Sequence, residues 1–134
     1  FTDWKPAETI AHLNEQTMTV IMVETVTSMK NLDAICKVDG VDVVMIGPDD
    51  LSQDLGVPGE MGNPKLLDAF DEIFETCKAN GVPYGLSCHN PDMAQNWIDK
   101  GCTWLPYSND AAMVLNAARA AVPELMKMGG RSRL

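Results

Sequence analysis

Two acidic side chains follow consecutive apolar segments of the sequence. Glu24 comes directly after the run that ends at Val23, and Asp50 comes four residues after the run that ends at Ile46. One strand–helix unit separates the two carboxylates, so we expect them at the same ends of neighbouring parallel strands. Such strands lie about 4.8 Å apart. Both could then bind one divalent cation. Oxygen ligands without thiolate or imidazole favour magnesium or manganese, with water or substrate completing the coordination.

Both carboxylates also have an ordinary structural interpretation. Glu24 could be a solvated residue at the end of a strand, and Asp50 could cap a short helix over residues 51–55. Spacing alone leaves both interpretations open.

The turn before Asp50 offers a seat for an anionic group. Gly47 permits close approach to the backbone, and a helix that starts here directs free N–H groups toward the strand ends, where a carboxylate could bind. A generic Gly-Pro turn is the alternative. His89 also lies close to a predicted strand end and is the one candidate for a general base, with an exposed loop histidine as the alternative.

These residues are placed by a regular alternation of strands and helices. An initial helix over residues 6–13 precedes four predicted strands at residues 17–23, 41–46, 84–88 and 103–107, each followed by a helical pattern. The clearest helix carries an apolar stripe from Leu66 to Cys77 and stops at Asn80-Gly81. This order predicts an α/β fold of right-handed β-α-β units with parallel strands.

Composition narrows the function classes. The 134 residues, 46 % hydrophobic and 22 % charged, predict one globular domain over residues 1–134. A net charge of −9 argues against a nucleic-acid or anionic membrane partner, and no apolar run reaches the roughly 20 residues of a membrane helix. The four cysteines are widely spaced without a Cys-x-x-Cys pair, so we expect buried reduced thiols and a cytoplasmic protein.

Several motifs carry a family resemblance. They are Val-Glu-Thr at 23–25, Lys-Asn-Leu at 30–32, Val-Asp-Val-Val-Met-Ile-Gly-Pro-Asp-Asp-Leu-Ser at 41–52 and Asp-Leu-Gly at 54–56. With these motifs the sequence resembles the HpcH/HpaI family of metal-dependent (class II) 2-keto-acid aldolases. The likeness extends over nearly the whole chain and is densest from residue 17 to residue 56.

The resemblance implies the C-terminal half of a TIM (β/α)8 barrel. It implies that Glu24 and Asp50 bind magnesium, manganese or cobalt, and that Gly47, Pro48 and Asp49 lie against bound pyruvate. The implied reaction cleaves or forms a 4-hydroxy-2-keto acid, with an aldehyde as the second product and pyruvate enolate as the intermediate.

The resemblance also implies missing parts. The catalytic histidine and the substrate-binding arginine of the family belong to the first half of the barrel, and a full barrel needs eight strands. We therefore expect a fragment that pairs with an N-terminal half, or a homo-oligomer that covers the exposed face. Two other functions stay open: a citrate-lyase-β-like or malyl-CoA-like lyase, and an inert metal-binding or assembly half-barrel.

Overall fold

The computed structural model describes residues 4–129 and contains a parallel sheet with helices in an α/β order. Its helices are α1 (Pro6–Gln16), α2 (Val26–Cys36), α3 (Pro48–Asp54), α4 (Pro64–Ala79), α5 (Pro91–Asp99) and α6 (Asp110–Met128). Its strands are β1 (Val20–Val23), β2 (Val43–Ile46) and β3 (Tyr84–Leu86). The predicted alternation is confirmed for these elements, with shorter strands than the apolar runs suggested.

The sheet has the order β1-β2-β3, and all its pairings are parallel. Successive residues of a strand point to opposite faces. Val23, Ile46 and Leu86 are in register and buried beneath the helices. Val20 and Met22 of β1 alternate with these and are 36 % and 49 % exposed, which leaves the opposite face open at this edge.

Helix α4 packs against the covered face through five residues of the predicted apolar stripe, Leu66, Phe70, Ile73, Phe74 and Cys77, together with Ala69. The prediction was wrong for Leu67, which it also placed on the stripe and which is 38 % exposed. The helix ends at Ala79 with Asn80 as its C-cap residue, and Gly81 then adopts a φ of 69°, a conformation that favours glycine. The predicted stop is therefore confirmed. All four cysteines are free and buried, as the sequence also predicted.

The fourth predicted strand does not form as a strand. Within residues 4–129 the segment 103–107 makes two isolated parallel bridges, one from Trp104 to Gly85 and one from Tyr107 to Cys88. Pro106 has no N–H to contribute to a ladder. The carbonyl oxygen of Trp104 also lies 1.7 Å from the position that a Cβ on Gly85 would take, so the segment crosses closely over β3.

The first and last helices lie outside the packed core. Neither α1 nor α6 contains a buried residue. Apolar side chains such as Leu13 of α1 and Leu125 of α6 are 54 % and 63 % exposed. Among the described residues, no helix has both the length and the apolar character that a membrane crossing requires.

Candidate metal and substrate site

The carboxyl ends of β1 and β2 bring Glu24 against Gly47. The Gly47 N–H donates to the carbonyl of Val23 at 3.0 Å, which continues the ladder one step beyond the strands. A Cβ on Gly47 would lie 2.9 Å from both Cβ and Oε2 of Glu24, and 3.2 Å from Sδ of Met22. The missing side chain of Gly47 therefore leaves the space into which the Glu24 carboxylate extends.

Asp50 is carried by α3, which starts directly after Gly47. Pro48 is in the first turn, where its missing N–H costs no hydrogen bond, and Asp49 and Asp50 add negative charge at the end of the helix that favours it. No side chain caps this helix, since Gly47 is the N-cap residue. The predicted helix over residues 51–55 is thus longer at its start, and the alternative role of Asp50 as its cap is not observed.

The two carboxylates have few protein partners. Oδ1 of Asp50 accepts a hydrogen bond from the Gln53 side chain at 3.3 Å. The ion pairs found in residues 4–129 involve neither Glu24 nor Asp50. In that same part of the chain no group of three His, Cys, Asp or Glu side chains could hold a metal ion, so a cation bound by Glu24 and Asp50 would have two carboxylates as its protein ligands of these types. Such a donor set fits a hard divalent cation that keeps water or substrate ligands.

Ser52 holds the start of α3 in place. The residue is fully buried, and its hydroxyl donates to the carbonyl of Asp49 at 2.6 Å and accepts from the N–H of Gly59 at 2.9 Å. Both hydrogen-bonding functions of the hydroxyl are thus used. Its place in the Asp-Leu-Ser motif was visible in the sequence, but its role was not, because Gly59 lies in a loop with no strong pattern.

A second contact joins α3 to the loop after β1. Oδ2 of Asp54 accepts from the N–H of Val26 at 2.6 Å. Sequence reasoning missed this contact as well, since nothing in the motif indicates a partner so distant along the chain.

A cavity of about 200 Å³ opens beside the turn at Gly47. Pro48 and Asp49 line it from α3, and Ser87 and His89 line it from the segment after β3. Its remaining walls are mostly apolar and come from Met61, Phe70, Leu86, Met93 and Trp97. The structure therefore brings the predicted substrate residues Pro48 and Asp49 together with His89, whereas Glu24 and Asp50 do not line this cavity.

His89 itself is exposed, which agrees with the simpler interpretation of a loop histidine. The same exposure leaves its side chain accessible to a molecule in the cavity. The indole Nε1 of Trp97 is buried and has no hydrogen-bond partner among the described residues.

Comparisons with known proteins agree with this fold. A sequence profile described as HpcH/HpaI aldolase/citrate lyase matches residues 4–117. A hydroxypyruvate/pyruvate aldolase of Cupriavidus necator is 37 % identical over 106 residues, which cover 79 % of this chain and 39 % of that protein. A 4-hydroxy-2-oxo-heptane-1,7-dioate aldolase of Escherichia coli is 32 % identical, over 80 % of this chain and 41 % of that protein.

A solved structure has the same arrangement. The HpcH/HpaI aldolase from Desulfitobacterium hafniense DCB-2 superposes with a TM-score of 0.80 at 27 % identity, over 94 % of this chain and 49 % of that chain. The chain thus spans about two fifths of the length of the curated relatives it matches and about half of this solved relative.

Proposed function

Because the chain belongs to the HpcH/HpaI aldolase/citrate lyase family, we propose that it supplies the cation-binding half of a metal-dependent carbon–carbon lyase. In this proposal Glu24 and Asp50 hold one magnesium, manganese or cobalt ion. The supporting observation is that the Glu24 carboxylate extends over Gly47, at the start of the helix that carries Asp50.

Glu24 and Asp50 would hold the cation, and when bound it would supply a fixed positive charge for the negative charge that develops on the keto oxygen of a 2-keto acid. The chain's own residues orient the substrate. The backbone at Gly47 and Pro48 offers close approach without a side chain in the way, and Asp49 lies at the edge of the adjoining cavity. Its negative charge would select against a second anionic group on that side.

The names of the relatives support a substrate class for the proposal. Those named above are aldolases for hydroxypyruvate and pyruvate and for a 4-hydroxy-2-oxo acid. We therefore assign to this chain the cleavage or formation of a 4-hydroxy-2-keto acid, with pyruvate and an aldehyde as the other reactants. A base must remove or return a proton in this reaction, and His89 is the candidate that the chain itself offers.

We further propose that residues 1–134 form the C-terminal half of a TIM (β/α)8 barrel. The open face at Val20 and Met22, together with the exposed apolar sides of α1 and α6, supports a partner that completes the barrel. Either an N-terminal half or further copies of this chain would cover these surfaces.

Pyruvate binding tests the proposal directly. Manganese held by the chain should broaden the methyl resonance of pyruvate beyond the effect of free manganese. Asp50→Asn should abolish the added broadening, because it removes an ionised ligand at unchanged size. Asp92→Asn is the matched control, since Asp92 is also exposed and lies in the first turn of a helix that follows a strand.

Exchange of the pyruvate methyl protons in heavy water, with magnesium, then locates the base. Exchange that is lost in His89→Ala assigns the base to His89. Binding without exchange assigns it to the other half of the barrel, and the isolated chain is then a metal-binding module. Absence of added broadening in the unaltered chain would contradict the proposed function.

A further inference from the structure

A carboxylate at the end of α3 contacts the backbone of the loop after β1. Oδ2 of Asp54 lies 2.6 Å from the backbone nitrogen of Val26, within hydrogen-bond distance for a charged acceptor. Val26 is the first residue of α2, so its N–H is one of those that a helix leaves without an internal partner. The positive end of the α2 dipole favours a carboxylate at this position.

The contact joins the two segments of the chain that carry the proposed cation ligands. Glu24 is two residues before Val26, in the short connection between β1 and α2. Asp50 is four residues before Asp54 in α3, and side chains at this spacing lie on the same face of a helix. A face of α3 thus presents Asp50 at its start and uses Asp54 at its end to hold the loop that carries Glu24.

We propose that Asp54 is a positioning residue that fixes the separation between the carboxylates of Glu24 and Asp50. This inference rests on the proposed function. Without the contact, α3 keeps the hydrogen bond from Gly47 to Val23 and the two hydrogen bonds of Ser52, but its C-terminal end loses the hydrogen bond that ties it to Val26. The carboxylates of Glu24 and Asp50 would then sample separations at which they no longer bind one ion.

Manganese affinity, measured by the electron paramagnetic resonance signal of free Mn²⁺, tests the proposal without any need for activity. Asp54→Ala should weaken binding by about tenfold, the lower end of the effect of groups that orient metal ligands. Asp54→Asn should stay within about threefold of the unaltered chain, because the amide oxygen can still accept from Val26. If Asp54→Asn were as weak as Asp54→Ala, the charge rather than the hydrogen bond would act, and the proposal would be wrong.

Asp42→Ala is the matched control. Oδ2 of Asp42 accepts from the backbone N–H of Thr19 at 2.7 Å, at the opposite ends of β1 and β2. The same kind of contact and the same charge are lost there, so a comparable fall in thermal stability is expected with unchanged Mn²⁺ affinity. Weakening of Mn²⁺ binding in this control to the level of Asp54→Ala would overturn the proposal.

A second pair of variants removes the donor and keeps the carboxylate. Val26→Pro deletes the N–H at a position where helices accept proline, and Val26→Ala shortens the side chain but keeps the N–H. Only Val26→Pro should weaken Mn²⁺ binding, by about as much as Asp54→Ala. Equal affinity in both Val26 variants would contradict the positioning role.

Glu24→Gln separates this proposal from the function on which it rests. If the unaltered chain binds Mn²⁺ and Glu24→Gln does not, the cation site is supported whatever the Asp54 variants show. Wild-type affinity in Asp54→Ala would then refute the positioning role alone. If Glu24→Gln binds as tightly as the unaltered chain, the proposed function itself fails.

Discussion

Gly47 shows how one residue determines the geometry of the candidate site. Any side chain here would have its Cβ within 2.9 Å of the Glu24 side chain, well below ordinary contact distance. The Sδ atom of Met22 would lie 3.2 Å from the same Cβ. The Glu24 carboxylate can therefore keep its position only with glycine at position 47.

Gly47→Ala should displace the Glu24 carboxylate and weaken Mn²⁺ binding by about tenfold, the effect expected when a metal ligand loses its orientation. Gly62→Ala is the matched control, because a Cβ at Gly62 meets no atom within 4 Å. Calorimetric titration of both variants with Mn²⁺ checks this. Equal affinities would mean that Glu24 does not need its present position.

Burial of the Cys77 thiol predicts that the free energy of unfolding falls at alkaline pH. Burial, with a smaller contribution from nearby Cys36, raises the pKa of Cys77 from 9.0 to about 12. As the pH rises, the unfolded chain therefore loses this thiol proton before the folded chain does. The contribution of Cys77 to the free energy of unfolding is constant below pH 9 and decreases between pH 9 and about pH 12.

Urea unfolding at pH 8 and at pH 10.5 measures this effect. The loss of stability for this thiol is at most about 1.4 kcal/mol per pH unit, the value for one proton. Cys77→Ala should lower stability at pH 8 and reduce the further loss at pH 10.5. An unchanged loss in the variant would show that other groups cause the alkaline response.

At the residue scale, the sequence predicted Glu24, Asp50 and the turn at Gly47 as candidate site residues because they follow two consecutive apolar runs. It did not indicate the role of Asp54, because the partner Val26 is distant along the chain and is contacted through its backbone. The type of side chain at position 26 does not indicate that the backbone N–H there donates to a distant carboxylate.

At the element scale, the helices and the first three strands could be predicted from hydrophobic periodicity and from stop signals. The α4 stripe is an example, since each of its buried residues recurs at helical spacing. Residues 103–107 have the composition of a strand, but their pairing depends on how closely their backbone approaches β3. The close approach of Trp104 to Gly85 is a tertiary feature that periodicity does not report.

Gly85→Ala should therefore push residues 103–107 away from β3. The new Cβ would overlap the carbonyl of Trp104, and overpacking of this kind lowers stability by about 1–3 kcal/mol. Urea unfolding measures the stability of Gly85→Ala and of the control Gly62→Ala, whose new Cβ would meet no atom within 4 Å. A loss no larger than that of the control would show that the segment moves aside freely.

At the scale of the whole molecule, the main feature is unpaired apolar surface. β1 is an edge strand of the described sheet, with Val20 and Met22 accessible on the open face, and α1 and α6 carry exposed apolar side chains. Edge strands and apolar patches of this kind promote association. The family relatives are more than twice as long as the matched segments, so the whole activity is proposed for the completed barrel.

Val20→Lys should shift the chain toward monomer in light scattering after size-exclusion chromatography, because a charge on the open face opposes its burial against a partner. Val38→Lys is the control. Val38 is 58 % exposed and lies in the connection between α2 and β2, outside the strands of the sheet, so its replacement should leave the oligomeric state unchanged. If Val20→Lys elutes with the mass of the unaltered chain, another surface mediates association.

The central claim is that Glu24 and Asp50 share one cation. Calorimetric titration with Mn²⁺ of the unaltered chain, of Glu24→Gln and of Asp50→Asn tests it most directly. One ion per chain is expected to bind, with affinity reduced at least tenfold in each variant, since each loses one of two ionised ligands. Unchanged affinity in both variants would show that these carboxylates do not form the site.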